Sequence, residues 1–407
     1  MRSTTVAMAW CLAAVACGGR YDASSGSGGA GASANAPATS TGATNTGATN
    51  TGATSTGATS TGATSAGVST TGAAGNGINL GTAGNPTMVG VGGSTTPVPP
   101  DPSIPCAMAD LPPPPQGPFA APPVVWTRVA MLTWGKPVPP AGPLPPAASY
   151  PWARGLVQPA LNDAMLRLGS APGVETYLRQ AFGLDPAAPF QMRWAVQVPT
   201  AGSLPALLLT APLGEPGRVG IVTEPSWLAL HRDISSRGSA IDGSLLALQV
   251  PPPPANVPNL PLDPSLTDRA ALDVALANPA CKACHTLVDP PGYALGHFAA
   301  DGSYRELDHG QPIDVSGSFR TMNGQGSVPF NGLEDFGRQA LGTCDATFGV
   351  ADSFLRAALV INGAPEVSRD ELFRISQGFV RQGFVVGGRS YAALVSAYIQ
   401  SPAGLYP

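Results

Sequence analysis

Asn278-Pro279-Ala280-Cys281-Lys282-Ala283-Cys284-His285 is the stretch of this 407-residue chain from which the rest is read. Two thiols separated by two residues, with an imidazole directly after the second, are the residue types that covalent haem needs. That spacing lets the thiols reach the two vinyl groups of a porphyrin while the imidazole meets the iron. Cys281 and Cys284 are therefore candidate thioether attachment points for one covalent haem c, and His285 is the candidate proximal iron ligand. At this chain's own frequencies of 6 Cys and 4 His, the pattern arises by accident in roughly one sequence in a thousand. The same residue types also serve a Cys281–Cys284 disulfide, or a zinc site completed by Cys344, His297 or His309. None of those three has the paired spacing of a zinc finger. For the distal side of a haem, Met322 lies 37 residues past His285 in a Gly-rich loop and would give a His/Met site of raised potential. His297 or His309 would instead give a bis-His site of lower potential, and an open iron is the third arrangement.

Outward from the motif the periodicity is helical. Thr267-Asp268 caps a helix through Leu276; Leu333–Leu341, Ala346–Ile361, 368–381 and Ser390–Ile399 follow the motif. Ser368 with Glu371 reads as a capping box, and Leu372, Ile375 and Phe379 fall on one side, as do Leu394, Ala397 and Tyr398. Before the motif, Leu156, Leu161, Met165 and Leu168 share a face that stops at Gly169, and Glu175–Phe182 forms a further helix. Ala206–Thr210 and Arg218–Val222 read as short strands or apolar connectors. Thr223-Glu224-Pro225 opens a helix through His231, and Ser239–Gln249 runs into the proline run at 251–254. The fold class expected is mainly α, with a cytochrome c-like helical C-terminal domain at 261–407 and a helical domain at 150–260.

The first third has a different composition. Gly-Ala-Thr-Asn/Ser-Thr repeats every five residues from Gly42 to Thr64, inside a Ser/Thr/Gly/Ala tract too poor in large apolar residues to bury a core. It reads as a disordered tether over 17–100, followed by a Pro-rich linker over 101–149. Within that linker Val124–Thr133 is an apolar island, expected to pack on the folded part as a strand or short helix. Met1-Arg2, an apolar run from Val6 and the small residues Ala14-Val15-Ala16 make 1–16 an export signal, too short for a stable membrane span. Cys17 follows in a setting similar to the cleavage box of bacterial lipoproteins, with Ala14 where Leu is commonest. The expectation is lipidation at Cys17 and attachment to the outer membrane or cell surface. Of the six cysteines this leaves Cys106 and Cys344, as a disulfide or as two separate thiols.

A net charge of −4 and a sequence pI near 5.5, with no Lys/Arg cluster, exclude a field that could hold a nucleic-acid backbone. No Gly-rich phosphate loop, catalytic carboxylate pair or nucleophile with an ordered His stands out, so hydrolase and kinase chemistry has no basis.

With these motifs in place, the sequence resembles the domains of unknown function found in planctomycete and myxobacterial surface proteins, often alongside cytochrome c modules. The resemblance runs from Gly220-Ile221-Val222-Thr223-Glu224-Pro225 through the motif to Asp289-Pro290, Gly292, Ala294-Leu295, Phe298, Gly302 and Arg305. It resumes at Ile313-Asp314-Val315-Ser316-Gly317 and in the tail from Phe384 to Leu405-Tyr406. The chain departs from that pattern at Val288, where Met is usual, Gly296, where Glu is usual, and Ala299, where Asp is usual. The resemblance implies haem and export and brings no substrate. Asp289-Pro290-Pro291 is expected to turn the chain beneath the imidazole, so that a backbone carbonyl holds the second nitrogen of His285. Asp301, Arg305, Glu306 and Asp314 are the nearest charges, available to haem propionates or to one another, with Glu306 and Asp308 in a solvated loop. The function expected is a haem-bearing electron-transfer module with a redox protein as partner. The other readings are a non-catalytic surface lipoprotein stapled by its Cys/His cluster, and an extracytoplasmic haem enzyme with an open iron.

Overall fold

Proline at the first helical turn and glycine just past the last give many of this chain's helices defined ends. Helix α1 (Pro122–Trp134) begins on Pro122 and ends at Gly135, and α4 (Pro172–Phe182) begins on Pro172 and ends at Gly183, whose φ of 63° suits a residue without a Cβ. The computed structural model describes residues 106, 113–197, 199, 202–250, 263–322, 326–364 and 369–407. The signal, Cys17, the repeats, the proline run at 251–254 and Ser368 lie outside them.

Between α1 and α4 come α2 (Tyr150–Arg154) and α3 (Val157–Leu168); after α4 come α5 (Leu204–Thr210), α6 (Pro225–Leu230) and α7 (Ile234–Leu245). Next are α8 (Asp268–Leu276) and α9 (Pro279–Tyr293), then two antiparallel hairpins, β1–β2 (Leu307–Asp308 with Gln311–Pro312) and β3–β4 (Ser316–Arg320 with Ser327–Asn331). The chain closes with α10 (Leu333–Leu341), α11 (Cys344–Ile361), α12 (Asp370–Val386), α13 (Tyr391–Gln400) and α14 (Pro402–Leu405). The described chain is mainly α. Among its described helices none is long and apolar enough to cross a membrane.

Several local readings change. The leucines at 207–209 belong to α5, which buries Leu204, Leu208 and Leu209 at helical spacing rather than strand spacing. Thr223 does not cap α6: its hydroxyl donates to the carbonyls of Val219 and Gly220, and Glu224 takes the cap position. The island Val124–Thr133 is helical, as α1. In α3 the buried side is Val157, Ala160, Leu161 and Ala164, leaving Leu168 exposed; in α12 it is Phe373, Ser376, Phe379, Val380 and Phe384, so that Phe379 of the expected face is buried while Ile375 is exposed.

One main core joins α1 to α14, drawing on residues from both sides of 260. Helix α11 packs on α4, α7, α10 and α12, and Tyr177 of α4 meets Phe354 of α11 and Tyr391 of α13 at ring separations of 5.2 and 5.6 Å. The beginning and end of the fold are clasped together. Ala120 N–H donates to the Leu405 carbonyl at 2.7 Å, and the buried Arg128 donates to the carbonyls of Gly404 and Tyr406 at 2.9 and 2.7 Å. Removing that guanidinium leaves two carbonyls short of a charged donor, so Arg128→Ala is expected to cost about 2 kcal/mol in a urea unfolding titration. Cys106 is disulfide-bonded to Cys344, at the first turn of α11.

Candidate functional site

Asn278 starts the motif helix. Its side-chain oxygen accepts from Ala280 N–H at 3.0 Å, and Pro279 occupies a position where the missing N–H costs nothing. Cys281, Cys284 and His285 therefore lie on the first two turns of α9. Cys281 and His285, four residues apart, share a face and are 1% and 3% exposed; Cys284 is half-buried. Both thiols are free.

Helix α7 lies against this helix at backbone contact. A Cβ on Gly238 would sit 1.6 Å from the Val288 carbonyl oxygen, and one on Gly292 would sit 2.0 Å from that of Ile234. So close an approach brings Ser235 of α7 into the motif. The Nδ1 of His285 lies 3.0 Å from each carboxylate oxygen of Asp289, one turn further along α9. Ser235 Oγ donates to Asp289 Oδ1 at 2.7 Å and stands 3.3 Å from Nδ1. All three residues are buried. A carboxylate only accepts, so Nδ1 carries the proton and donates it to Asp289, which leaves Nε2 as the nitrogen that can ligate a metal. The hydrogen bond to Asp289 holds the imidazole above the usual histidine range, against the effect of burial. Burial, joined by the charge of Asp289, pushes the Cys284 thiol up.

The expected turn at Asp289-Pro290-Pro291 is not formed. Helix α9 continues through both prolines to Tyr293, held along α7, and the partner of Nδ1 is the Asp289 side chain rather than a backbone carbonyl. The spacing of His285 and Asp289, four apart, carried that signal once the helix is continued past 289. Nothing in the sequence pointed to Ser235.

The donor types are those covalent haem needs, two unpaired thiols and an imidazole whose second nitrogen is engaged, and Cys281 and His285 are closed off inside the described fold. They do not make a cage for a bare cation, since among the described residues no three of His, Cys, Asp or Glu converge in that way. No hydrogen bond or ion pair among the described residues joins the other candidate ligands to His285, whose polar partners are Ser235 and Asp289. His297 follows the end of α9; its Nδ1 donates to the Arg305 carbonyl at 2.9 Å and its ring stacks on Tyr304 at 5.3 Å. His309 donates to the Leu266 carbonyl at 2.8 Å. Met322 follows β3, and its backbone N–H donates to Asp345 beside the disulfide.

The charges after the motif pair mainly with one another. Arg305 bridges Asp268 at 2.5 Å and Asp308 at 2.8 Å, Arg269 meets Asp314 at 3.1 Å, and Asp301 accepts from Ser303. Asp308 is buried rather than solvated, because it also accepts the Asp268 N–H at the start of α8. Asp268, Arg269, Arg305, Asp308 and Asp314 line a cavity of about 350 Å³ with Tyr293 and Gly296, whose lining does not include Cys281, Cys284 or His285.

No curated protein and no solved structure matches the chain. Residues 218–308, from the approach to α6 through α9 to β1, match the model of a family described as PSCyt3, protein of unknown function (DUF1588), a name that suggests cytochrome-associated domains of planctomycetes.

Proposed function

We propose that the chain carries one covalent c-type haem on Cys281 and Cys284, with His285 as proximal ligand, and serves as an electron-transfer module outside the cytoplasm. The observation that carries this reading is the buried His285 ring, oriented by Asp289, directly after two unpaired thiols. A bound haem would supply a one-electron iron couple. The protein's part is to fix the cofactor through the thioethers, to set the imidazole tautomer through Asp289 and Ser235, and to exclude water through the α7–α9 contact. The distal position falls to Met322 or His297. In the same reading Cys17 carries lipid, residues 17–100 tether the folded part to the outer membrane or cell surface, and electrons pass to or from a redox protein.

Burial of Cys281 and the raised thiol of Cys284 make the folded chain a poor acceptor for haem, since the thiolate is the reactive form and needs access. Attachment therefore precedes closure of the fold. Expression in a periplasm with the haem-attachment machinery is expected to give a low-spin reduced spectrum and a mass gain of one haem that survives denaturation. The folded haem-free chain mixed with haem is expected to gain none. A co-expressed chain without the added mass would overturn the assignment.

A further inference from the structure

The geometry points to a binding site for a short aliphatic diamine in the cavity beside Tyr293, with one ammonium at each of two carboxylate clusters. The lining includes none of the motif residues, so the site stands apart from the haem reading. Tyr293 ends α9 and is 6% exposed, with its ring centre 4.1 Å from the Arg269 guanidinium carbon. Its hydroxyl has no hydrogen-bond partner among the described residues. That hydroxyl lies in the field of Arg269, Asp273 and Asp314, which line the same cavity. Burial and the surrounding carboxylates keep it protonated and neutral, so it can accept from a ligand N–H.

Carboxylates outnumber guanidiniums in two places on this lining. Arg269 meets Asp314 at 3.1 Å, with Asp273 beside them in the field of Tyr293. Arg305 lies between Asp268 at 2.5 Å and Asp308 at 2.8 Å. Each place sets two carboxylates against one guanidinium and keeps one negative charge in excess. Asp268 opens α8 and Asp273 follows five residues later, about 7.5 Å along the helix axis. Ile234, Ala270, Pro312 and Ile313 supply an apolar part of the same lining. Two sites for a cation with a hydrocarbon surface alongside are the complement of two ammoniums on a methylene chain. A metal ion does not fit, because no three of these carboxylates converge. A monoamine leaves one excess charge unanswered, and a neutral polyol leaves both. Partial enclosure strengthens the attraction by limiting the water between the charges.

Isothermal titration calorimetry on the full chain at low ionic strength, with 1,4-diaminobutane, 1-aminobutane and butane-1,4-diol, tests the site. The diamine is expected to bind one to one, the monoamine about tenfold or more weakly, and the diol not at all. Asp273 is exposed, so Asp273→Asn keeps the fold and is expected to weaken the diamine about tenfold. Tyr293→Phe is expected to weaken it by less. Asp301→Asn removes an exposed carboxylate outside the lining and should leave the affinity unchanged, which separates binding in the cavity from attraction to the chain's net charge. Absence of diamine binding would overturn the assignment. So would diamine and monoamine of equal affinity, or Asp301→Asn weakening the diamine as much as Asp273→Asn.

Discussion

Gly238→Ala is expected to remove about 3 kcal/mol of stability or more, the largest effect of any single methyl group added to α7. The added carbon would lie 1.6 Å from the Val288 oxygen and 2.8 Å from its carbonyl carbon. Both are backbone atoms of α9, so no side-chain rotation relieves the clash and the two helices must separate. Gly292 faces Ile234 with similar closeness, so α9 cannot slide to make room. Gly243 on the same helix has nothing within 4 Å of its added carbon, and Gly243→Ala should be neutral or stabilising, by up to about 1 kcal/mol. Urea midpoints of the two variants provide the comparison; equal midpoints would contradict the close contact. Separation of α7 from α9 would also draw Ser235 off Asp289.

Loss of the Cys106–Cys344 bond is the second large effect, expected at about 2–4 kcal/mol. The bond joins residues 238 apart and encloses α1 through α10. Its breakage frees the unfolded chain far more than the folded one, which keeps the Ala120–Leu405 clasp. Cys344→Ser should lower the urea midpoint, and reductant should lower the wild type to the same value while leaving Cys344→Ser unchanged. Cys281→Ser, touching a thiol that is already free, should not reproduce the reductant effect.

The parts of this fold legible in the sequence are those fixed by local chemistry. Thr267 caps α8 by accepting from Ala270 N–H, and Ser390 caps α13 by accepting from Ala393 N–H. The motif reads from spacing alone. Where the outcome depends on what lies opposite, the sequence is silent or misleading. Pro290 and Pro291 spell a turn, yet the packing of α7 on α9 accompanies an unbroken helix through them. Each strand of β3–β4 buries one large side chain, Phe319 or Phe330, too little alternation to announce a hairpin. Leu372, Ile375 and Phe379 mark the expected face of α12; of these Phe379 is buried and Ile375 exposed, while the core is also met by Phe373, Val380 and Ser376, whose hydroxyl accepts the Ala403 N–H. Ser235 gains its place only because two glycines let the helices touch.

The clasp between Ala120, Arg128 and the last residues also governs when the protein can finish folding. In a chain delivered end by end, from a ribosome or through a membrane, Arg128 emerges long before Gly404 and Tyr406, its partners 276 and 278 residues later. Contacts so distant in sequence are the slow ones to form, and these wait until the final turn has arrived. Until that closure Cys281 stands open to chemistry that its burial in the finished fold shuts out.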